Sequence, residues 1–123
     1  MMKNHWLYWG PIFLAGCAST PDYLSSLPEA TVQEKTAAQD DLIRCVEYEA
    51  KKFDDGVSPA NLVAESVASA CGGPYANVYR TQTQGQSESF RNGFTGPDWG
   101  RTKVRMTTSM ILSIRAREKN KGK

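Results

Sequence analysis

The sequence predicts an all-α protein: a small domain built on an antiparallel helical hairpin and closed by a C-terminal helix. Three observations lead there. Apolar residues recur at three-to-four spacing through 31–53 and again through 59–71. A short turn-forming connection, Gly56-Val57-Ser58-Pro59, separates the two runs. The one stretch that alternates like a strand, near the C-terminus, has no clear partner strand.

The chain starts with one basic side chain, Lys3, then an apolar run from Trp6 to Ala15, then small residues before a cysteine. That order is the layout of an export signal, too short for a stable membrane span. Leu14-Ala15-Gly16-Cys17 resembles a bacterial lipobox. The resemblance implies cleavage between Gly16 and Cys17, a diacylglycerol on the Cys17 thiol, and acylation of the new amino group. Two or more acyl chains anchor a protein stably where one does not, at about 0.8 kcal/mol per buried methylene. Residues 1–16 are therefore expected to be a signal peptide. Residues 17–27 read as a tether, opening with the small polar run Ala18-Ser19-Thr20-Pro21. In the lipoprotein sorting rule, Asp after the lipidated Cys favours the inner membrane; Ala18 stands there, so the outer membrane, facing the periplasm, is the expected address.

Removal of 16 residues from 123 leaves 107, enough for one small domain, expected over residues 28–119 with a basic tail at 120–123. The first helix starts near Pro28 or a few residues later. Ser26-Leu27-Pro28-Glu29 and Thr31-Val32-Gln33-Glu34 both have capping-box spacing. From there to Phe53, Ala38, Leu42, Val46 and Phe53 share a face, with Ile43 and Ala50 beside it. Gly56 tolerates a left-handed stop. Ser58 is a good N-cap and Pro59 suits the first helical position of the second helix. In that helix Ala60, Val63, Ala64, Val67, Ala70 and Cys71 recur at helical intervals, and Gly72-Gly73-Pro74 ends or interrupts it.

Cys45 and Cys71 are the even pair left after Cys17, and in an oxidising envelope they read as a disulfide. Cys45 lies nine residues before Asp54 and Cys71 twelve after Pro59, about 14 and 18 Å from the bend, nearly level in antiparallel helices. The expected hairpin is therefore disulfide-linked. Cys45, Phe53-Asp54-Asp55-Gly56, Ser58-Pro59, Ala64, Val67 and Ala70-Cys71 together resemble small exported bacterial helical proteins with one Cys in mid-helix and another at the end of the next. That resemblance implies the hairpin and no function.

Pro74 to Gln84 reads as a third short helix, with Tyr75, Val78 and Tyr79 on one side. Gly85 to Gly100 is rich in turn signals, with Phe90, Phe94 and Trp99 interleaved. Either these aromatics form a recognition loop, or they fold back over the hairpin; the second is expected, because a small core needs large side chains to close it. From Arg101 to Lys119, Val104, Thr108, Ile111 and Arg115 follow helical spacing, while Val104, Met106, Thr108, Met110, Leu112 and Ile114 alternate. Helix is expected, since the neighbours are helical and the basic end suits a helix C-terminus.

Charge is uneven. Ala18–Glu65 carries ten acidic and four basic residues, 4 − 10 = −6; Ser66–Lys123 carries three acidic and ten basic, 10 − 3 = +7. The halves can attract each other within the fold, or the charges can simply be solvated. Alternatively Arg101, Lys103, Arg105, Arg115, Arg117 and Lys119 can face an anionic envelope surface or polymer.

Catalytic patterns are scarce. The single histidine, His5, lies in the segment expected to be removed, which argues against Ser–His and Cys–His nucleophiles and a Cys/His zinc set. There is no Cys-x-x-Cys pair and no Gly-rich phosphate loop. Asp40-Asp41 and Asp54-Asp55 are adjacent and diverge on a helix, so they read as surface charge and helix-end features, and a carboxylate-only glycosidase needs two opposed acids in a cleft. No enzyme activity, cofactor, metal or small-molecule substrate is expected. Nucleic acid is an improbable partner for an exported chain despite its basic end. The expected function is that of a lipid-anchored envelope protein with a structural or protein-interaction role.

Overall fold

The computed structural model describes residues 23–122. Six α-helices follow in order: α1 (Tyr23–Ser26), α2 (Val32–Phe53), α3 (Ala60–Ala70), α4 (Gly72–Thr83), α5 (Glu88–Thr95) and α6 (Trp99–Lys121). No strand occurs among the described residues. The alternating pattern in the C-terminal segment therefore yields to helix, which runs two residues beyond each expected end and takes in 120–121 of the expected tail.

Of the two capping-box candidates, Thr31 is the N-cap of α2. Its side chain accepts from the Glu34 amide and Glu34 returns to the Thr31 amide, at 3.1 and 2.7 Å. Ala38, Leu42, Val46 and Ala50 form the buried stripe of α2, while Phe53, placed on that stripe by spacing, is half exposed. The helix ends at Asp54, and Gly56 turns the chain with φ +78°. The turn is built on two carboxylates. Asp54 accepts from the Gly56 amide; Asp55 accepts from the amides of Val57 and Ser58 and from the Ser58 hydroxyl. Ser58 is thus not the cap of α3. Its hydroxyl goes to the stronger carboxylate acceptor, and Pro59 takes the N-cap position without a side-chain bond.

The chain then returns along α2, and Cys45 and Cys71 form the expected disulfide with Cα atoms 5.9 Å apart. Gly72-Gly73-Pro74 does not separate two helices by a loop. It forms the first turn of α4, where proline loses no hydrogen bond, and Cys71 alone makes the junction. The most extensive packing joins α3 to α6 and α2 to α4, with a smaller contact between α2 and α3. The disulfide therefore staples two helix pairs together. Ala60, Ala64 and Ala68 put small side chains on the buried face of α3, and Tyr75, Val78 and Ile111 fill the centre.

Residues 85–100 are not an irregular loop. Ser87 caps α5 by accepting from the Phe90 amide, Gly96 (φ +68°) ends it, and Asp98 caps α6 by accepting from the Arg101 amide. The Asn92-Gly93 turn signal sits inside α5. Phe94 and Trp99 join Tyr75 and Tyr79 in an aromatic cluster with ring centroids 5.9–6.3 Å apart, so these two aromatics do cover the core. Phe90 does not; it is 48% exposed.

Part of the expected tether belongs to the fold. The Gly85 amide donates to the Leu24 carbonyl at 2.7 Å, and Gln84 Nε2 donates to the Pro28 carbonyl at 3.0 Å. Buried Arg91 donates to Ser25 Oγ and the Gln86 carbonyl, both at 2.8 Å. Gly85 (φ +76°) makes this possible, since a Cβ there would lie 2.8 Å from the Glu29 backbone nitrogen.

Candidate functional site

Gly16 and Cys17, the cleavage and lipidation positions, lie outside the described residues, as does the rest of 1–22. What is described is the platform that such an anchor would carry, and its strongest polar feature is a clamp between α6 and the α2–α3 turn. Arg115 Nε and Nη2 donate to both Asp54 carboxylate oxygens at 2.6–3.2 Å, and Nη2 also donates to the Ser58 carbonyl at 2.7 Å. Both partners are largely shielded, with side-chain exposures of 23% and 10%. The Arg115 guanidinium holds the Asp54 carboxyl below its ordinary range, with the Gly56 amide assisting. The Ser58 hydroxyl and amide, with the Val57 amide, bring Asp55 down to about 2. The two acids act as the turn's hydrogen-bond acceptors at the end of α2.

Arg117 donates to Glu47 at 2.9 Å across the same helix pair, at an exposed site. Two of the six basic residues expected to face an anionic partner, Arg115 and Arg117, are thus engaged by acids of the N-terminal half. The charge asymmetry serves the fold at these positions. Lys103 lies half-buried with its ammonium 5.9 Å from the Trp99 ring. Arg101, Arg105 and Lys119 fall on one outward line of α6 with exposed Leu112, and Arg101 also approaches Asp98 at 4.0 Å.

Between α2 and α6 runs an open groove of about 440 Å³, apolar along Ile43, Val46, Met110 and Ile114. A more polar recess of about 560 Å³ continues past Ala50 and Asp54 to Lys121. Glu47 and Arg117 line both, so their ion pair divides them. The polar recess carries three acids, Glu47, Asp54 and Glu118, of which Glu47 and Asp54 are paired with Arg117 and Arg115.

The deepest polar contact is structural. Tyr75, wholly buried, shares a 2.5 Å hydrogen bond with Thr107 Oγ1 in which either hydroxyl can donate, and both hydroxyls face the Lys103 carbonyl, at 3.3 and 2.8 Å. Burial pushes the Tyr75 phenol above its ordinary value, opposed in part by the Thr107 bond. Among the described residues no three His, Cys, Asp or Glu side chains converge as a metal would require, and no helix is long and apolar enough to cross a membrane.

Sequence reasoning missed the Arg115 clamp although its signal was present. Arg115 falls on the helical stripe of Val104, Thr108 and Ile111, and a cation on an inward-facing line needs an acid opposite it. Among known proteins, no family model, no curated protein and no solved structure matches this chain.

Proposed function

We propose that this is a lipid-anchored protein of a bacterial cell envelope, with a structural or protein-interaction role and no catalytic activity. The observation that carries the reading is Leu14-Ala15-Gly16-Cys17 directly behind an apolar run. The cysteine arithmetic supports it: Cys45 and Cys71 take each other, leaving Cys17 outside that pair. A disulfide closing the fold suits an oxidising compartment outside the cytosol. The domain faces the periplasm from the outer membrane, on the sorting argument from Ala18. Its interaction partner is another envelope component, presented with a rigid, stapled helical surface.

The test is fractionation of cells making the wild-type chain and Cys17→Ser. Wild type is expected in the membrane fraction after high-salt and carbonate washes, with Cys17→Ser lost from it. Equal membrane retention of the two would remove the anchor from the account.

A second reading, binding of an anionic envelope surface or polymer, is supported by the outward line of Arg101, Arg105 and Lys119. It requires salt-sensitive retention on anionic vesicles that Arg101→Glu with Arg105→Glu abolishes. Retention unaffected by those changes excludes it.

A further inference from the structure

The lipoprotein reading, on which this inference rests, leaves open which side of the domain meets the bilayer; the docked N-terminal turn decides it. From Cys17 to Tyr23 there are six Cα steps, which span at most about 22 Å when fully extended. At Tyr23 the chain is already fixed to the domain, through the Leu24 carbonyl, Ser25 and buried Arg91. A tether that ends at residue 22 is five residues shorter than one running to residue 27, and it holds the end of the domain where the chain emerges closer to the bilayer.

The end of the molecule where the chain emerges carries exposed apolar side chains from three elements. Tyr23 of α1 is 70% exposed, Val32 at the start of α2 is 78% exposed, and Phe90 of α5 is half exposed. They belong to one neighbourhood. Gly85 lies against the Glu29 backbone, three residues before Val32, and Ser25 bonds to Gln86, four residues before Phe90. We infer that this end, formed by α1, the start of α2 and the start of α5, is a membrane-contact surface. On it Tyr23, Val32 and Phe90 sit at the interface of the same lipid bilayer that holds the Cys17 acyl chains.

Ile43 and Tyr48 of α2 and Leu112 of α6 are also exposed, but the group at a helix end that competes for the role is Phe53, Val57 and Leu62 at the α2–α3 turn. It lies a full α2 length away, 22 residues or about 33 Å. That exceeds the reach of the tether. Aromatic side chains favour the headgroup level of a bilayer, where an apolar ring and a polar rim are both accommodated. Apolar area removed from water adds to what the acyl chains provide.

The test uses isotope-labelled protein purified from the membranes of cells making the full chain. It is placed in nanodiscs of phosphatidylethanolamine and phosphatidylglycerol carrying a gadolinium-chelate headgroup lipid. Amide relaxation enhancement for Tyr23–Ser26 and Ser87–Phe90 is expected to be several-fold greater than for Gly56–Ser58. Inserting about twelve Gly/Ser residues between Asp22 and Tyr23, adding about 20 Å of reach, should erase most of that difference. Replacing Tyr23, Val32 and Phe90 together by Ser should reduce it. Equal enhancement at the two ends, or a larger one at Gly56–Ser58, overturns the proposal. Intact mass of the same sample reads the anchor separately. An unmodified Cys17 refutes the lipoprotein reading and this orientation with it, whereas a lipidated Cys17 with equal enhancement refutes the orientation alone.

Discussion

Opening the Cys45–Cys71 bridge is expected to be the largest single perturbation of this fold. The bridge closes 26 residues of sequence, and in the chain-entropy treatment a loop of that length contributes about 3.5 kcal/mol at 25 °C. Small domains have about 5–15 kcal/mol in total, so the bridge accounts for a large share. The packing explains why the native state does not compensate. The α2–α3 contact is smaller than those joining α2 to α4 and α3 to α6, so the disulfide adds a covalent tie where packing is thinner, beside the Arg115–Asp54 clamp and the Tyr75–Thr107 bond. With about 2 cal/mol/K of unfolding entropy per residue, a domain of about 100 residues should lose about 15–20 °C in melting temperature on reduction. The assay is thermal denaturation followed by circular dichroism, with and without a phosphine reductant. Cys45→Ala with Cys71→Ala should melt slightly lower still, because Cys71 is fully buried and its sulfur leaves a void. A reduced protein that melts within a few degrees of the oxidised one would refute the reasoning. Helix packing, not the covalent link, would then hold the two pairs together.

Further outcomes follow from individual residues. Gly85→Ala should destabilise by about 2–3 kcal/mol, combining a left-handed backbone with a clash against Glu29. Gly56→Ala, with similar φ but open space, should cost only about 1 kcal/mol; urea denaturation separates the two. Tyr75→Phe should cost about 1 kcal/mol, since Thr107 keeps its bond to the Lys103 carbonyl. Thr107→Val should cost more, about 1–3 kcal/mol, because the buried Tyr75 hydroxyl is left only the 3.3 Å contact with that carbonyl. Acid should loosen the α2–α3 turn. Asp54 and Asp55 bind protons less tightly folded than unfolded, so the unfolded chain takes up more protons as pH falls. Their contribution is complete above about pH 4 and for Asp55 is lost between its ordinary 3.8 and about 2. Hydrogen exchange of the Gly56, Val57 and Ser58 amides across that range reads the loss directly, and unchanged protection at pH 2 would contradict it.

The hairpin, the disulfide and the C-terminal helix were legible because each rests on periodicity or spacing, which survive without knowledge of neighbours. Ala38, Leu42 and Val46 mark one face of α2 whatever packs on it. Features set by long-range partners were harder to read. Ser58 looked like a helix cap until Asp55 claimed its hydroxyl, and Arg115 looked like surface charge until Asp54 and Ser58 met it. The α5 segment was obscured by Asn92-Gly93, whose turn preference is overridden by the Ser87 cap and the aromatic contacts of Phe94. Its boundary signals, a Ser cap and the stop at Gly96, were nonetheless in the sequence. Docking of residues 23–27 depends on Gly85 and Arg91, some 60 residues away, which local spacing does not report. The basic line of α6 was half legible: its existence was plain, but which members remain free of internal acids depended on the fold.

The most direct test of the central claim is intact and peptide-level mass spectrometry of the protein extracted from cell membranes without reductant. The expected species begins at Cys17, carries a diacylglycerol on that sulfur, and has Cys45 linked to Cys71. Material that retains Met1–Gly16, or that begins elsewhere with an unmodified Cys17 thiol, would contradict the account.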